Sequence, residues 1–132
     1  MTSHPDFDDQ GVVPWHTDFN TALAEARKTG KGLFIDCGRY ECGNCRCLVE
    51  SILPRPEVHT YLNEHFVSLA DDCDAMAPEV LALGRKYMPS ARVLPFVILT
   101  DAEGSWLDGR SGGISAEGFL ALLRSAVGKM EA

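Results

Sequence analysis

The fold is decided by one stretch of the chain, Leu33-Phe34-Ile35-Asp36-Cys37-Gly38-Arg39-Tyr40-Glu41-Cys42-Gly43-Asn44-Cys45-Arg46-Cys47. It opens on a short apolar run between two glycines, which predicts a buried strand. The residues that follow the last cysteine contain no helix breaker before Pro54, which predicts a helix. The segment Cys42-Gly43-Asn44-Cys45 therefore lies where a strand passes into a helix.

Two cysteines separated by two residues at the start of a helix are suited to redox chemistry. Their sulfur atoms come within bonding reach on the first helical turn. The helix dipole and the unpaired backbone N–H groups there favour a thiolate over a thiol. A nucleophilic thiol beside a second thiol that can resolve a mixed disulfide is the minimum equipment for disulfide exchange. The spacing therefore predicts a dithiol pair, Cys42 and Cys45.

Length and composition indicate one globular domain. The 132 residues are 45% hydrophobic and 23% charged, as in an ordinary globular protein. The net charge of −7 argues against nucleic acid as a partner, because phosphate binding needs a basic surface. No apolar run approaches the ~20 residues of a membrane span. We expect a monomeric domain over residues 11–132, preceded by a loosely held arm over residues 1–10.

The polar, acidic start of the chain lacks the features of a secretory signal. We therefore expect a cytoplasmic protein, or a periplasmic one if a signal peptide was removed from the sequence given. The five cysteines are clustered rather than spread, which favours redox or metal chemistry over a structural disulfide framework.

The rest of the chain alternates strands and helices in the order β-α-β-α-β-α-β-β-α. This order predicts an α/β fold with a central mixed sheet, three parallel strands plus a C-terminal antiparallel hairpin, and helices on both faces. We expect a glycine-rich loop at residues 109–113 and a final helix capped by Ser115. Cys37 and Cys73 follow the ends of two neighbouring strands. The sequence thus predicts that they lie near Cys42 and Cys45.

The element order, the Cys-x-x-Cys at the start of the second helix and an apolar strand entered through Pro95 resemble thioredoxin-fold proteins. The detail is similar to the thioredoxin-like domains of bacterial disulfide reductases and isomerases. The resemblance implies that Cys42 attacks a substrate disulfide and that Cys45 resolves the mixed disulfide. It also implies that Asp36 is a buried acid assisting proton removal from Cys45. Leu94–Pro95 would be a cis-proline step that packs against the pair and offers backbone groups to the substrate.

The same resemblance implies a thiol–disulfide oxidoreductase that needs no organic cofactor or metal. Its partners would be a protein disulfide substrate and a separate electron-donating reductase. The chain departs from the family at Glu41, where Trp is usual. The carboxylate of Glu41 opposes a thiolate at Cys42, whereas Arg39 and Arg46 favour one.

Several alternatives compete with this interpretation. The spacing of Cys37, Cys42, Cys45 and Cys73 matches a plant-type [2Fe–2S] ferredoxin, which would make the chain a cluster or metal carrier. The chain could also be a binding module that keeps the pair for stability. Asp36 could be a solvent-facing carboxylate, and Pro95 an ordinary trans proline of an edge strand.

The remaining cysteines and the histidines have weaker patterns. Cys37 and Cys73 are candidate accessory thiols, either spectators or a second disulfide. Cys47 is predicted to be a small buried residue. The four histidines, His4, His16, His59 and His65, show no spacing that indicates a joint site.

Overall fold

The computed structural model describes residues 2–131 of the chain. The helix that begins at Gly43 continues directly into a wider helical turn, Leu48–Ile52. The elements in chain order are β1 (Trp15–His16), α1 (Phe19–Thr29), β2 (Gly32–Gly38), α2 (Gly43–Cys47), α3 (Pro56–His65), β3 (Phe66–Asp72), α4 (Pro78–Tyr87), β4 (Phe96–Thr100), β5 (Trp106–Ser111) and α5 (Ala116–Glu131).

The five strands form one mixed sheet in the order β1-β3-β2-β4-β5. Strands β1, β3 and β2 are parallel, whereas β4 and β5 form an antiparallel hairpin paired to the far side of β2. Five helices cover the two faces. The predicted α/β class, with three parallel strands and a C-terminal hairpin, is confirmed.

Strand β2 lies at the centre of the sheet and separates two hydrophobic clusters. Successive side chains of a strand point to opposite faces. Phe34 packs in the cluster formed with α2, α3 and α5. Ile35 and Cys37 pack in the other cluster, formed with α1 and α4. The face on which a β2 residue lies therefore decides which helices it meets.

Helix α2 and the wider turn that continues it bury one face, formed by Cys45, Leu48, Val49 and Ile52. The N–H of Leu53 then bonds to the carbonyl of Leu48, 3.0 Å away, which is the five-residue step of a π-helical turn. Cys47 lies two positions after Cys45, close to the opposite side of the helix. It is exposed, so the prediction that it is buried is wrong.

The segment before Gly11 packs against the domain, in contrast to the loosely held arm expected from its polarity. Phe7 is buried in the same cluster as Phe34. The buried Asp9 carboxylate accepts hydrogen bonds from the indole Nε1 of Trp15 at 2.9 Å and from the backbone N–H of Val13 at 3.2 Å. The segment is held because Asp9 accepts the hydrogen bond of the buried Trp15 indole and because Phe7 packs in the core. Local composition predicts neither contact.

The C-terminal part matches the prediction except at the glycine-rich segment. Gly109 lies inside β5 rather than in a loop, since β5 runs to Ser111. A Cβ atom on Gly109 would come within 2.9 Å of the Val97 carbonyl oxygen, so only glycine fits this close approach. Helix α5 begins as predicted, with Ser115 Oγ accepting the N–H of Gly118 at 3.0 Å. No helix within residues 2–131 has the length and apolarity needed to cross a membrane.

The buried Asp9 provides a test of how firmly the N-terminal segment is held. We predict that Asp9→Ala lowers the free energy of unfolding by about 3 kcal/mol, because it leaves the Trp15 indole N–H buried without its partner. Urea denaturation followed by tryptophan fluorescence measures the change. Asp6→Ala, at an exposed position of the same segment, is the matched control and should change stability by less than about 0.5 kcal/mol. Equal effects of the two substitutions would show that the segment contributes little.

Candidate redox site

Cys42 caps the N-terminus of helix α2. Its backbone is extended, with φ −105° and ψ 117°, and its Sγ accepts the backbone N–H of Cys45 at 3.2 Å. The side chain is only partly buried, in contrast to that of Cys45. Of the pair, Cys42 is therefore the sulfur that a large reactant can reach, and the one aligned with the helix dipole.

Cys45 lies one turn further along the helix and is buried against strand β2. Its Sγ would be 2.9 Å from a Cβ atom placed on Gly38, so glycine at this position makes room for the sulfur. Burial, followed by hydrogen bonding to Cys42, raises the pKa of the Cys45 thiol to about 12. At neutral pH Cys45 is a protonated thiol, and its reaction as a nucleophile requires a proton acceptor.

Asp36 lies on the same face of β2 as the pair and is only 3% exposed. Its Oδ2 is 3.0 Å from Nε2 of His4, a residue of the N-terminal segment. Its Oδ1 lies 3.8 Å from the position above Gly38 that Cys45 Sγ also approaches. The carboxylate therefore faces Cys45 from inside the protein and is not the solvent-facing group considered as an alternative.

Both arginines near the pair already have carboxylate partners. Arg39 Nη2 lies 2.6 Å from Asp74 Oδ1, and Arg46 Nη1 lies 3.3 Å from Glu50 Oε1. These ion pairs are exposed and contribute little stability. Their geometry nevertheless reduces the positive potential that the sequence suggested for Cys42. The N-terminus of α2 places the positive end of the helix dipole beside Cys42.

The loop before β4 borders the pair on its outer side. The Leu94–Pro95 peptide bond is cis. Asn44 Nδ2 donates to the Leu94 carbonyl at 3.3 Å and so ties the loop to the start of α2. An open groove runs past Cys42 between the residues Arg39, Glu41, Gly43, Asn44, Arg92, Val93 and Leu94.

Cys37 and Cys73 do not join the pair. Cys37 is fully buried on the other face of the sheet, with Sγ 3.9 Å from Asp71 Oδ2, and Cys73 packs at the edge of that same cluster. Within residues 2–131 the four sulfurs do not come together at one point. The four-cysteine cluster is therefore wrong for this fold. Adjacent residues of β2 face opposite sides of the sheet. Because Asp36 faces the redox pair, Cys37 faces away from it.

Two residues that contact the site carry no signal in the sequence. His4 lies 32 residues from Asp36 along the chain, and its contact exists only because the N-terminal segment folds back. Asn44 lies inside the Cys-x-x-Cys, where its amide meets a backbone carbonyl 50 residues away. The presence of an amide side chain between the two cysteines does not by itself indicate this distant partner.

Comparison with known proteins supports this description of the fold. A family model described as thioredoxin-like matches residues 14–102, which include both cysteines and Pro95. The chain belongs to the thioredoxin-like family. No curated protein matches this thioredoxin-like chain.

Solved structures share the fold of the thioredoxin-like chain at low sequence identity. A thioredoxin from Thermus thermophilus is 22% identical, with a TM-score of 0.72 and 90% of each chain covered. A disulphide isomerase from Xylella fastidiosa Temecula1 is 21% identical, with a TM-score of 0.64, covering 82% of this chain and 87% of the other. The C-terminal domain of DsbD from Neisseria meningitidis, in its oxidised form, is 23% identical, with a TM-score of 0.61 and coverage of 86% and 99%.

Buried thiols make the stability of the reduced protein depend on alkaline pH. Burial raises the pKa of both Cys45 and Cys37 above the ordinary value of 9.0. Above pH 9 the unfolded chain loses these protons while the folded protein retains them, so stability is full below pH 9 and falls as pH rises toward 12.

We predict that the urea midpoint of the reduced protein declines over this range. Measured between pH 8 and pH 11, the decline should be shallower in Cys37→Ala. The exposed-site variant Cys47→Ser should keep the slope of the natural chain. Parallel curves for all three proteins would contradict the assignment of the buried thiols.

Proposed function

We propose that this protein is a thiol–disulfide oxidoreductase that reduces or exchanges disulfides of protein substrates. One observation carries the proposal: an accessible Cys42 sulfur caps a helix, and a buried Cys45 lies one turn behind it with its N–H 3.2 Å from that sulfur. This asymmetry separates the attacking thiol from the resolving one.

The exchange has two steps. The Cys42 thiolate attacks a substrate disulfide, forms a mixed disulfide and expels one substrate thiolate. Cys45 then loses its proton and attacks Cys42 Sγ, and the second substrate thiolate leaves. The enzyme ends with a Cys42–Cys45 disulfide, and the substrate gains two electrons. A separate dithiol reductase returns the pair to the reduced form.

The two neighbours predicted by the family resemblance have matching tasks in this scheme. Asp36 accepts the proton of Cys45, whose pKa of about 12 makes a base necessary. The backbone beside Pro95 borders the Cys42 groove and provides a surface for an extended substrate segment. The exposed Val93 adds apolar surface to the same groove.

Serine substitutions test the division of roles. We predict that Cys42→Ser abolishes the protein's catalysis of insulin reduction by dithiothreitol, leaving only the uncatalysed rate. Cys45→Ser should instead accumulate mixed disulfides, because the first step is intact and the resolving sulfur is missing. Turbidity reports insulin reduction, and mass spectrometry of acid-quenched samples detects the mixed disulfide.

Cys47→Ser is the matched control, since Cys47 lies on the same helix but on its exposed side. It should retain the full insulin-reducing activity. Faster alkylation of Cys45 than of Cys42 by iodoacetamide would reverse the assigned roles. Inactivity of the unmodified chain toward insulin and toward small disulfides would contradict the function itself.

A further inference from the structure

Asp36 is approached from two sides, and each of its oxygens has a separate neighbour. Oδ2 is 3.0 Å from His4 Nε2. Oδ1 is buried, has no hydrogen-bond partner within residues 2–131, and lies on the side of Gly38 where Cys45 Sγ packs. A buried acceptor without a partner costs free energy. This oxygen is the one placed to receive the Cys45 proton.

The tautomer of His4 follows from its other ring nitrogen. The backbone N–H groups of Asp6 and Phe7 point at Nδ1, at 3.1 and 3.2 Å. A nitrogen that accepts two N–H donors carries no proton of its own, so the proton of the neutral ring is on Nε2. Nε2–H therefore donates to Asp36 Oδ2.

The imidazole of His4 is fixed in place by packing as well as by hydrogen bonds. Its side chain is 5% exposed. It stacks on Phe7 with ring centroids 5.5 Å apart and meets the edge of Trp15 at 4.8 Å. The donor that faces Asp36 is consequently held on a rigid support, as the positioning of a catalytic group requires.

We propose that His4 is a positioning residue for the resolving step, holding Asp36 Oδ2 so that Oδ1 stays directed at Cys45. This inference rests on the proposed disulfide exchange. In that step the Cys45 thiol gives its proton to Asp36 Oδ1 through water in the cavity that both residues line, because Oδ1 has no hydrogen-bond partner within residues 2–131. Its sulfur then bonds to Cys42 Sγ, and the substrate thiolate departs with the electron pair of the broken bond. His4 touches neither sulfur and acts through Asp36.

A cavity of about 280 Å³ lies between the N-terminal segment and strand β2 and is lined in part by His4, Asp36 and Cys45. The cavity is roomy and polar enough to hold water. The proton that Asp36 receives can reach solvent by this route without crossing the substrate groove, which lies on the outer side of the pair.

Two substitutions separate the positioning role from a role in folding. In His4→Asn the shorter side chain can still accept the N–H groups of the following residues, as in an Asx turn, but it withdraws the donor from Asp36. In His4→Gln the longer amide places an N–H near the position of Nε2. The asparagine variant should therefore lose the hydrogen bond that positions Asp36, and the glutamine variant should restore it.

The two steps are observed separately with 5,5′-dithiobis(2-nitrobenzoate). The parent carries Cys47→Ser and Cys73→Ser, which remove thiols outside the pair. Attack by Cys42 releases the first equivalent of thionitrobenzoate, and attack by Cys45 releases the second. His4→Asn should leave the first phase unchanged and slow the second on the order of tenfold, and His4→Gln should recover most of that loss.

A double-mutant cycle tests whether His4 acts through Asp36. His4→Asn should slow the second phase no further in a protein that already carries Asp36→Asn. A loss of both phases in His4→Asn, or full additivity with Asp36→Asn, would show a structural role and overturn the proposal. Unchanged kinetics of both phases would overturn it too.

A second readout does not depend on exchange activity. Nitrogen-15 NMR of His4 in the unmodified chain should show the proton on Nε2, and a proton on Nδ1 would contradict the proposal. A parent protein that releases only the first equivalent would contradict the proposed oxidoreductase function. In that case the NMR signals of the His4 ring nitrogens would still test whether His4 donates a hydrogen bond to Asp36.

Discussion

The site depends on one constraint, the pairing of strand β2 with β3 on one edge and β4 on the other. A strand paired on both edges and covered on both faces must send neighbouring side chains into different surroundings. The Asp36 side chain consequently lines the cavity beside the redox pair, and Cys37 packs in the cluster on the opposite face. A shift of register by one residue would exchange them and place a thiol where the carboxylate stands.

The sequence was most informative where local rules and tertiary packing agree. The apolar run before Gly38, the breaker at Pro54 and the cap at Ser115 act within a few residues, and they predicted the elements around the site. The parallel pairing of the first three strands was predicted from those elements, because alternating strands and helices favour a parallel sheet. The proximity of Cys42 and Cys45 was therefore predictable from their spacing, whereas the place of Asp36 beside them was implied only by the family resemblance.

The errors arose where the deciding contact is distant or where one helical residue was considered alone. The common burial of cysteine predicts a buried Cys47, yet the buried side of this helical segment is set by the neighbouring Leu48 and Val49. The placement of His4 depends on the N-terminal segment returning to β2, and no local pattern encodes that return. Cys37 lies near the end of β2 and Cys73 directly after β3, but both pack on the face of the sheet opposite the redox pair.

The exposed position of Cys47 also affects how the purified protein behaves on a non-reducing gel. A surface thiol outside the reach of the buried resolving sulfur has no partner within its own chain, so air oxidation would join two molecules through it. A band at twice the mass of the chain would then report storage conditions rather than a subunit interface. When Cys42 and Cys45 are joined in their disulfide, the exposed Cys47 sulfur offers an attachment point for a fluorescent or spin label on the same helix.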